Sequence, residues 1–168
     1  MPTVRFLTAL DVRVHPCPPP GVSEERCYQL QAPLVVQIGS EIVEVPTAFF
    51  SDGGSIPACL WSILRIHPMT PKFCRPFFTH DFLFLVGYKN DRKFCDEVLR
   101  DGALAEGADP DKVGEVYVGV RLGSWKAWND YRKKNAYELQ KNINSLRAGE
   151  PMFRMTAAGW HRNLDGLS

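Results

Sequence analysis

The chain has 168 residues, of which 45% are hydrophobic and 23% are charged, and its formal net charge is +1. This length fits one domain with a single core, and the composition excludes a chain that is disordered throughout. A net charge near zero gives no overall field toward nucleic acid or a membrane, so either partner would need a local patch. No apolar run approaches the roughly 20 residues that span a bilayer, and the N-terminus does not resemble a signal peptide.

The cysteines argue against a disulfide framework. There are five of them, an odd number, and none forms a Cys-x-x-Cys pair. That pattern is also poor for a structural zinc site. We expect reduced and mostly packed thiols, as in a cytosolic protein.

The first third of the chain predicts strands. Residues 3–14 are rich in β-branched and apolar side chains and end at a proline run at 16–20, which we expect to be a stiff connector. Residues 28–38 and 41–45 flank Gly39-Ser40, a typical hairpin turn, and Pro46 then stops the pairing. We expect an N-terminal antiparallel sheet of three or four strands.

Helices follow from about residue 55. Ser55 is a good N-cap for a short helix at 58–64, and residues 73–86 form a buried helix that Gly87 ends. Asn90 or Asp91 caps a second helix at 92–106. A third helix begins at 109–110 and continues to about 146, bent near 119 or 123. The fold class is therefore α+β, with the sheet packed against a C-terminal helical half that contains a helix hairpin. Residues 1–148 form the domain, and 149–168 a tail without clear periodicity.

His80 and Asp81 stand in the middle of the apolar helix at 73–86. A buried carboxylate needs a partner or a ligand, and neighbouring residues on a helix point about 100° apart, so we expect separate partners for the two. Asp96 is as far beyond the predicted turn as His80 is before it, so the two should meet across the hairpin. A carboxylate on one ring nitrogen raises the basicity of the other, as in many catalytic sites. The alternative is a buried polar network that only fixes helix register.

Several motifs in chain order resemble a family of bacteriophage and prophage proteins of unknown function. They are Val45-Pro46-x-x-Phe49-x-x-Asp52-x-x-Ser55-Ile56-Pro57-x-x-Leu60-Trp61, His80-Asp81-x-Leu83, Asp96 and Val120-Arg121-Leu122-Gly123. The resemblance covers residues 28–125 and implies a phage or prophage origin, with the host cytoplasm or the virion as the location. Phe84 stands where that family commonly has tyrosine, so a hydroxyl that could serve the site is absent.

The same helix pair has a more distant likeness to calcium-dependent secreted phospholipases. That likeness implies His80 as general base, Asp81 as calcium ligand and Asp96 as the group that orients the histidine. The turn at Gly53-Gly54, beside Asp52, could supply carbonyl oxygens, which hard cations accept. A zinc or manganese site built from Asp52, His80 and Asp96 or Asp81 is a rival.

Two functional hypotheses result. The first is a small phage- or prophage-encoded hydrolase of esterase or phospholipase type, with His80 as general base oriented by Asp96 and an optional metal at Asp81 or Asp52. Arg92 could hold its anionic substrate or simply cover the helix surface. The second is a non-enzymatic phage accessory or virion protein, in which the basic, aromatic helix at 125–147 meets a phage or host protein. Aromatic and basic residues can also bind nucleic acid, but an amphipathic helix with packed aromatics is the simpler interpretation.

Overall fold

The structure is a computed structural model that describes residues 2–16, 27–53 and 69–133, together with the backbone of 153–156 and 159–162. The described strands are β1 (Val4–Phe6), β2 (Val12–Val14), β3 (Tyr28–Leu30), β4 (Leu34–Ile38), β5 (Glu41–Val45), β6 (Phe50–Ser51), β7 (Phe153–Thr156) and β8 (Gly159–Arg162). The described helices are α1 (Cys74–Val86), α2 (Arg92–Ala105), α3 (Pro110–Gly123) and α4 (Trp125–Lys133). Antiparallel sheets precede the helices, which confirms the α+β class.

The N-terminal strands form two sheets where the sequence predicts one. Among the described residues, one sheet has the order β1-β4-β5 and the other the order β2-β3-β6, both antiparallel. The stretches 3–14 and 28–38 therefore each divide between the two sheets. Thr8 and Pro33 lie at the points where these two stretches pass from one sheet to the other. The Thr8 hydroxyl donates to Pro33 O at 3.1 Å and accepts from Val35 N at 2.9 Å, so it satisfies one backbone acceptor and one backbone donor at this point.

The hairpin of β4 and β5 turns at Gly39-Ser40, as predicted, and Gly39 has the positive φ of 62° that such turns use. Alternate residues of β4 point into the core, and β5 adds Val43 and Val45. Helix α1 packs against this hairpin and is buried almost all round, from Pro76 to Leu85. Its polar residues are therefore held inside the protein.

The helix boundaries follow local signals closely. Gly87 ends α1 in the left-handed region with a φ of 63°, and the Asp91 carboxylate accepts from Phe94 N at 3.0 Å to cap α2. Asp109 caps α3 in the same way, through Lys112 N at 3.0 Å. The predicted bend is a break at Ser124, between α3 and α4.

Some predictions fall outside the described residues: the proline run from position 17 onward, Ser55 as a cap, the helix at 58–64, and the third helix beyond Lys133. In the predicted tail, the backbone of β7 and β8 pairs as an antiparallel hairpin. No helix in the described part of the chain is both long and apolar enough to cross a membrane.

Candidate functional site

His80 on α1 and Asp96 on α2 meet in the interior. His80 Nε2 lies 2.8 Å from Asp96 Oδ1, and both side chains have no exposed surface. The short turn between the helices brings the two positions level, as the sequence predicts. The contact expected between these two residues is thus present.

Two guanidinium groups complete the surroundings of Asp96. Arg121 Nη1, from α3, donates to Asp96 Oδ2 at 2.6 Å, and Arg92 Nη1 lies 3.6 Å from the same oxygen. Arg92 Nη1 also donates to Arg121 O and to Ser124 Oγ, each at 3.0 Å. Two guanidinium groups facing one buried carboxylate compensate its charge, and they tie α2 to the end of α3.

Asp81 belongs to a separate network on another side of α1. Its Oδ2 accepts a short hydrogen bond from Ser51 Oγ, and Ser51 Oγ accepts from Gly53 N at 2.7 Å. Ser51 is fully buried, and Asp81 nearly so. His80 and Asp81 therefore have different partners, as their angular separation predicts. Asp52, the other predicted metal ligand, is half-buried in the turn between Ser51 and Gly53.

Phe84 serves the site by packing. Its ring lies one helical turn after His80, with centroids 4.2 Å apart, and makes an edge contact with Trp128 of α4 at 5.0 Å. Arg132 covers the end of α1: its Nη2 donates to the carbonyls of Phe84 and Leu85 at 2.8 Å each. Trp128 is buried and Tyr131 packs against the core, so these aromatics of the basic helix are structural.

Cys95, next to Asp96 on α2, is a buried free thiol. Burial, followed by the nearby charges of Asp96 and Asp91, raises the pKa of Cys95 to about 12. The thiol is therefore protonated at neutral pH and is no nucleophile. This agrees with the packed thiols expected from the sequence.

Within the described residues, no three His, Cys, Asp or Glu side chains form a group that could hold a metal ion. His80 Nε2 and both oxygens of Asp96 are engaged with protein partners. The described part of the chain therefore does not assemble the predicted zinc or manganese site of Asp52, His80 and Asp96 or Asp81. The calcium site predicted from Asp81 and the carbonyls of the Gly53-Gly54 turn uses a different set of ligands and stays a prediction, and Gly54 lies outside the described residues.

Sequence reasoning gave no role to Ser51 and named Arg121 only within the motif Val120-Arg121-Leu122-Gly123. Arg121 is the only charge in the otherwise apolar run from Val116 to Gly123, and a buried partner for it is a reasonable inference from that pattern. Ser51 directly precedes Asp52 and carries no comparable signal.

Comparison with known proteins places the chain in a family. A model described as Protein of unknown function (DUF1353) matches residues 28–120, more than half of the chain. The matched range contains Ser51, His80, Asp81 and Asp96 and ends one residue before Arg121. No curated protein matches, and no solved structure matches. The chain belongs to the DUF1353 family, whose function is unknown.

Proposed function

We propose that this protein is a small hydrolase in which His80 is the general base and Asp96 orients it. The observation that carries the proposal is the 2.8 Å contact of His80 Nε2 with a carboxylate whose other oxygen is held by Arg121. A carboxylate accepts, so in this contact Nε2 is the donor and Asp96 fixes the orientation of the ring. In the proposed reaction the imidazole of His80 takes the proton from water.

The supports of this pair come from three helices. Asp96 is fixed by Arg121 and Arg92, and the His80 ring is held between Asp96 and Phe84. Such rigidity favours general-base catalysis, because a base that cannot rotate stays aligned with the proton it accepts. His80 has no exposed surface, so the reaction requires an opening that admits water to the imidazole.

The complete burial of the pair favours a second candidate. A non-enzymatic phage accessory or virion protein would use the same contacts to fix the register of α1, α2 and α3. Breaking a buried ion pair by removing one partner costs about 3–5 kcal/mol, so such a network would be essential for folding. The phage or prophage origin rests, in both candidates, on the motif resemblance.

Paired measurements of turnover and stability separate the candidates. The wild-type chain, His80→Asn and Asp96→Asn are assayed on carboxylic esters and phospholipids, and each is melted. A hydrolase loses at least about 100-fold in turnover in both variants, because the base or its tautomer is lost. Turnover is compared at a temperature where each variant is folded, because removing one partner of the buried pair also lowers stability.

Glu97→Gln is the matched control, since Glu97 is the next residue on α2 and faces the exposed Lys93 at 3.8 Å. It should leave both turnover and melting unchanged. An inactive wild type, together with large losses of stability in His80→Asn and Asp96→Asn, would establish the structural role instead.

The predicted metal at Asp81 and Asp52 has its own test. Calcium is titrated into the wild type and Asp81→Asn by calorimetry. Binding by the wild type that Asp81→Asn abolishes supports a calcium ligand there. Absence of binding by a folded wild type removes the metal from the proposal and leaves the role of His80 intact.

A further inference from the structure

An exposed apolar surface lies where α3 meets α4. Val118, Leu122 and Trp125 are 55%, 71% and 58% exposed. Val118 and Leu122 are four residues apart on one face of α3, opposite the buried Val113, Val116 and Val120, and Trp125 follows at the start of α4. We call Val118, Leu122 and Trp125 the corner patch. Contiguous exposed apolar residues of this size are uncommon unless they bind something.

The charges beside the corner patch are positive. Arg121 precedes Leu122, and Lys126, which is exposed, follows Trp125. The sequence has no acidic residue between Glu115 and Asp130. Arg121 and Arg92 both point to Asp96 through Nη1, yet their side chains remain 29% and 19% exposed. Since the carboxylate of Asp96 is buried, the guanidinium groups are the exposed part of this cluster, while Glu115, one helical turn before Val118, pairs with Lys112.

We propose that the corner patch docks on an anionic lipid membrane. Leu122 and Trp125 would enter the head-group region, while Arg121 and Lys126 would face lipid phosphates. Three features favour this occupant. A partner helix would need an apolar groove, whereas these apolar side chains protrude. Tryptophan prefers the boundary between apolar and polar phases. Basic residues bordering an apolar face match the charge of anionic lipids.

A second copy of the chain fits this surface less well. A symmetric contact uses the same surface on both copies. Both copies would bring Arg121 and Lys126 to the interface, with no acidic residue of the segment 116–129 to compensate. Like charges across an interface oppose association.

Vesicle sedimentation with the full chain tests the proposal, independently of any turnover. Vesicles of phosphatidylcholine alone are compared with vesicles that also contain phosphatidylglycerol. The wild type should bind the anionic vesicles, and more weakly at high salt, because screening weakens contacts between charges. Leu122→Asp should lower binding at least about 10-fold, since a charge replaces an inserted side chain. Lys126→Glu should lower binding as well.

Ile42→Asp is the matched control, because Ile42 on β5 is 59% exposed and lies outside the patch. It should bind as the wild type does. Leu122 is exposed, so Leu122→Asp should melt within a few degrees of the wild type, and Trp125→Ser serves as a second patch variant. The proposal is overturned if the wild type binds neither vesicle, or if Ile42→Asp loses as much binding as Leu122→Asp. It is also overturned if the wild type ignores vesicles but forms dimers, or binds polynucleotides, that Leu122→Asp abolishes.

Discussion

Three consecutive buried residues of α1 show how unequally polar groups are satisfied in one helix. His80 contacts Asp96, and Asp81 accepts from Ser51. Among the described side chains, Thr79 is fully buried and its Oγ1 has no hydrogen-bond partner. Because successive residues point about 100° apart, each faces a different neighbour. Substitutions at these positions should therefore have effects of different size and sign.

Ser51→Ala should destabilise the protein by about 1–3 kcal/mol, the cost of leaving buried polar groups without a partner. The substitution removes the donor to Asp81 Oδ2 and the acceptor for Gly53 N. Denaturant unfolding followed by circular dichroism gives the difference in the free energy of unfolding.

Thr79→Val is the matched comparison, since it removes a buried hydroxyl from the same helix and keeps the branched shape. Thr79 Oγ1 has no partner to lose. The variant should unfold at the same denaturant concentration as the wild type or at a higher one. If Ser51→Ala proves neutral while Thr79→Val is costly, the assignment of these contacts is wrong.

At the scale of elements, local signals predicted the helices better than the sheets. Asp91, Asp109 and Gly87 sit at helix ends, where capping depends on residues only a few positions away. At the point where the two sheets divide, Thr8 bonds to Pro33 and Val35 across a large sequence separation. A strand pattern carries no information about which strand becomes its neighbour.

Gly87→Ala should destabilise the protein by more than the roughly 1 kcal/mol that a left-handed alanine costs. Its φ is 63°, and a Cβ added there would lie 1.3 Å from Arg132 Nη1. Arg132 would have to move and would lose its bonds to the carbonyls of Phe84 and Leu85. Denaturant unfolding measures the total loss in the free energy of unfolding, from the backbone conformation and the Arg132 bonds together.

Gly107→Ala is the control for the conformational cost alone. Gly107 has a φ of 77° and nothing within 4 Å of an added Cβ. The loss in the free energy of unfolding caused by Gly87→Ala, minus the loss caused by Gly107→Ala, measures the contribution of the Arg132 contacts. Equal effects would show that these contacts add nothing to stability.

For the whole molecule, the candidate site is assembled from segments far apart in the chain. The His80–Asp96 contact was predictable because one short turn joins their helices. Ser51 comes from β6 and Arg121 from α3, and their approach depends on how the sheets and helices pack. Arg75 shows the same dependence, since it joins α1 to Thr8 O at 3.0 Å and to Glu106 at 2.8 Å. Such long-range contacts follow from the packing of the two halves.

A second contact between the strands and the helical half, made by Glu41, should make the stability of the protein depend on pH. Glu41, at the start of β5, accepts a hydrogen bond from the Tyr88 hydroxyl and lies 3.0 Å from Lys89 Nζ. These two contacts, the hydroxyl first, hold the pKa of Glu41 below its ordinary value of 4.5. A carboxyl whose pKa is lowered by folding stabilises the protein above its unfolded pKa, and this contribution is lost as pH falls through the folded pKa.

Glu41→Gln should therefore have a lower melting temperature than the wild type at neutral pH. This difference in melting temperature, the gap, should narrow once the pH falls below 4.5 and through the lowered pKa of Glu41. Thermal melts across this range measure the gap. Glu44→Gln, at an exposed position of the same strand, controls for the loss of a negative charge from β5. A gap of constant size at every pH would mean that ionised Glu41 does not link the hairpin to the helices. A narrowing gap in Glu41→Gln alone assigns that link to the contacts with Tyr88 and Lys89.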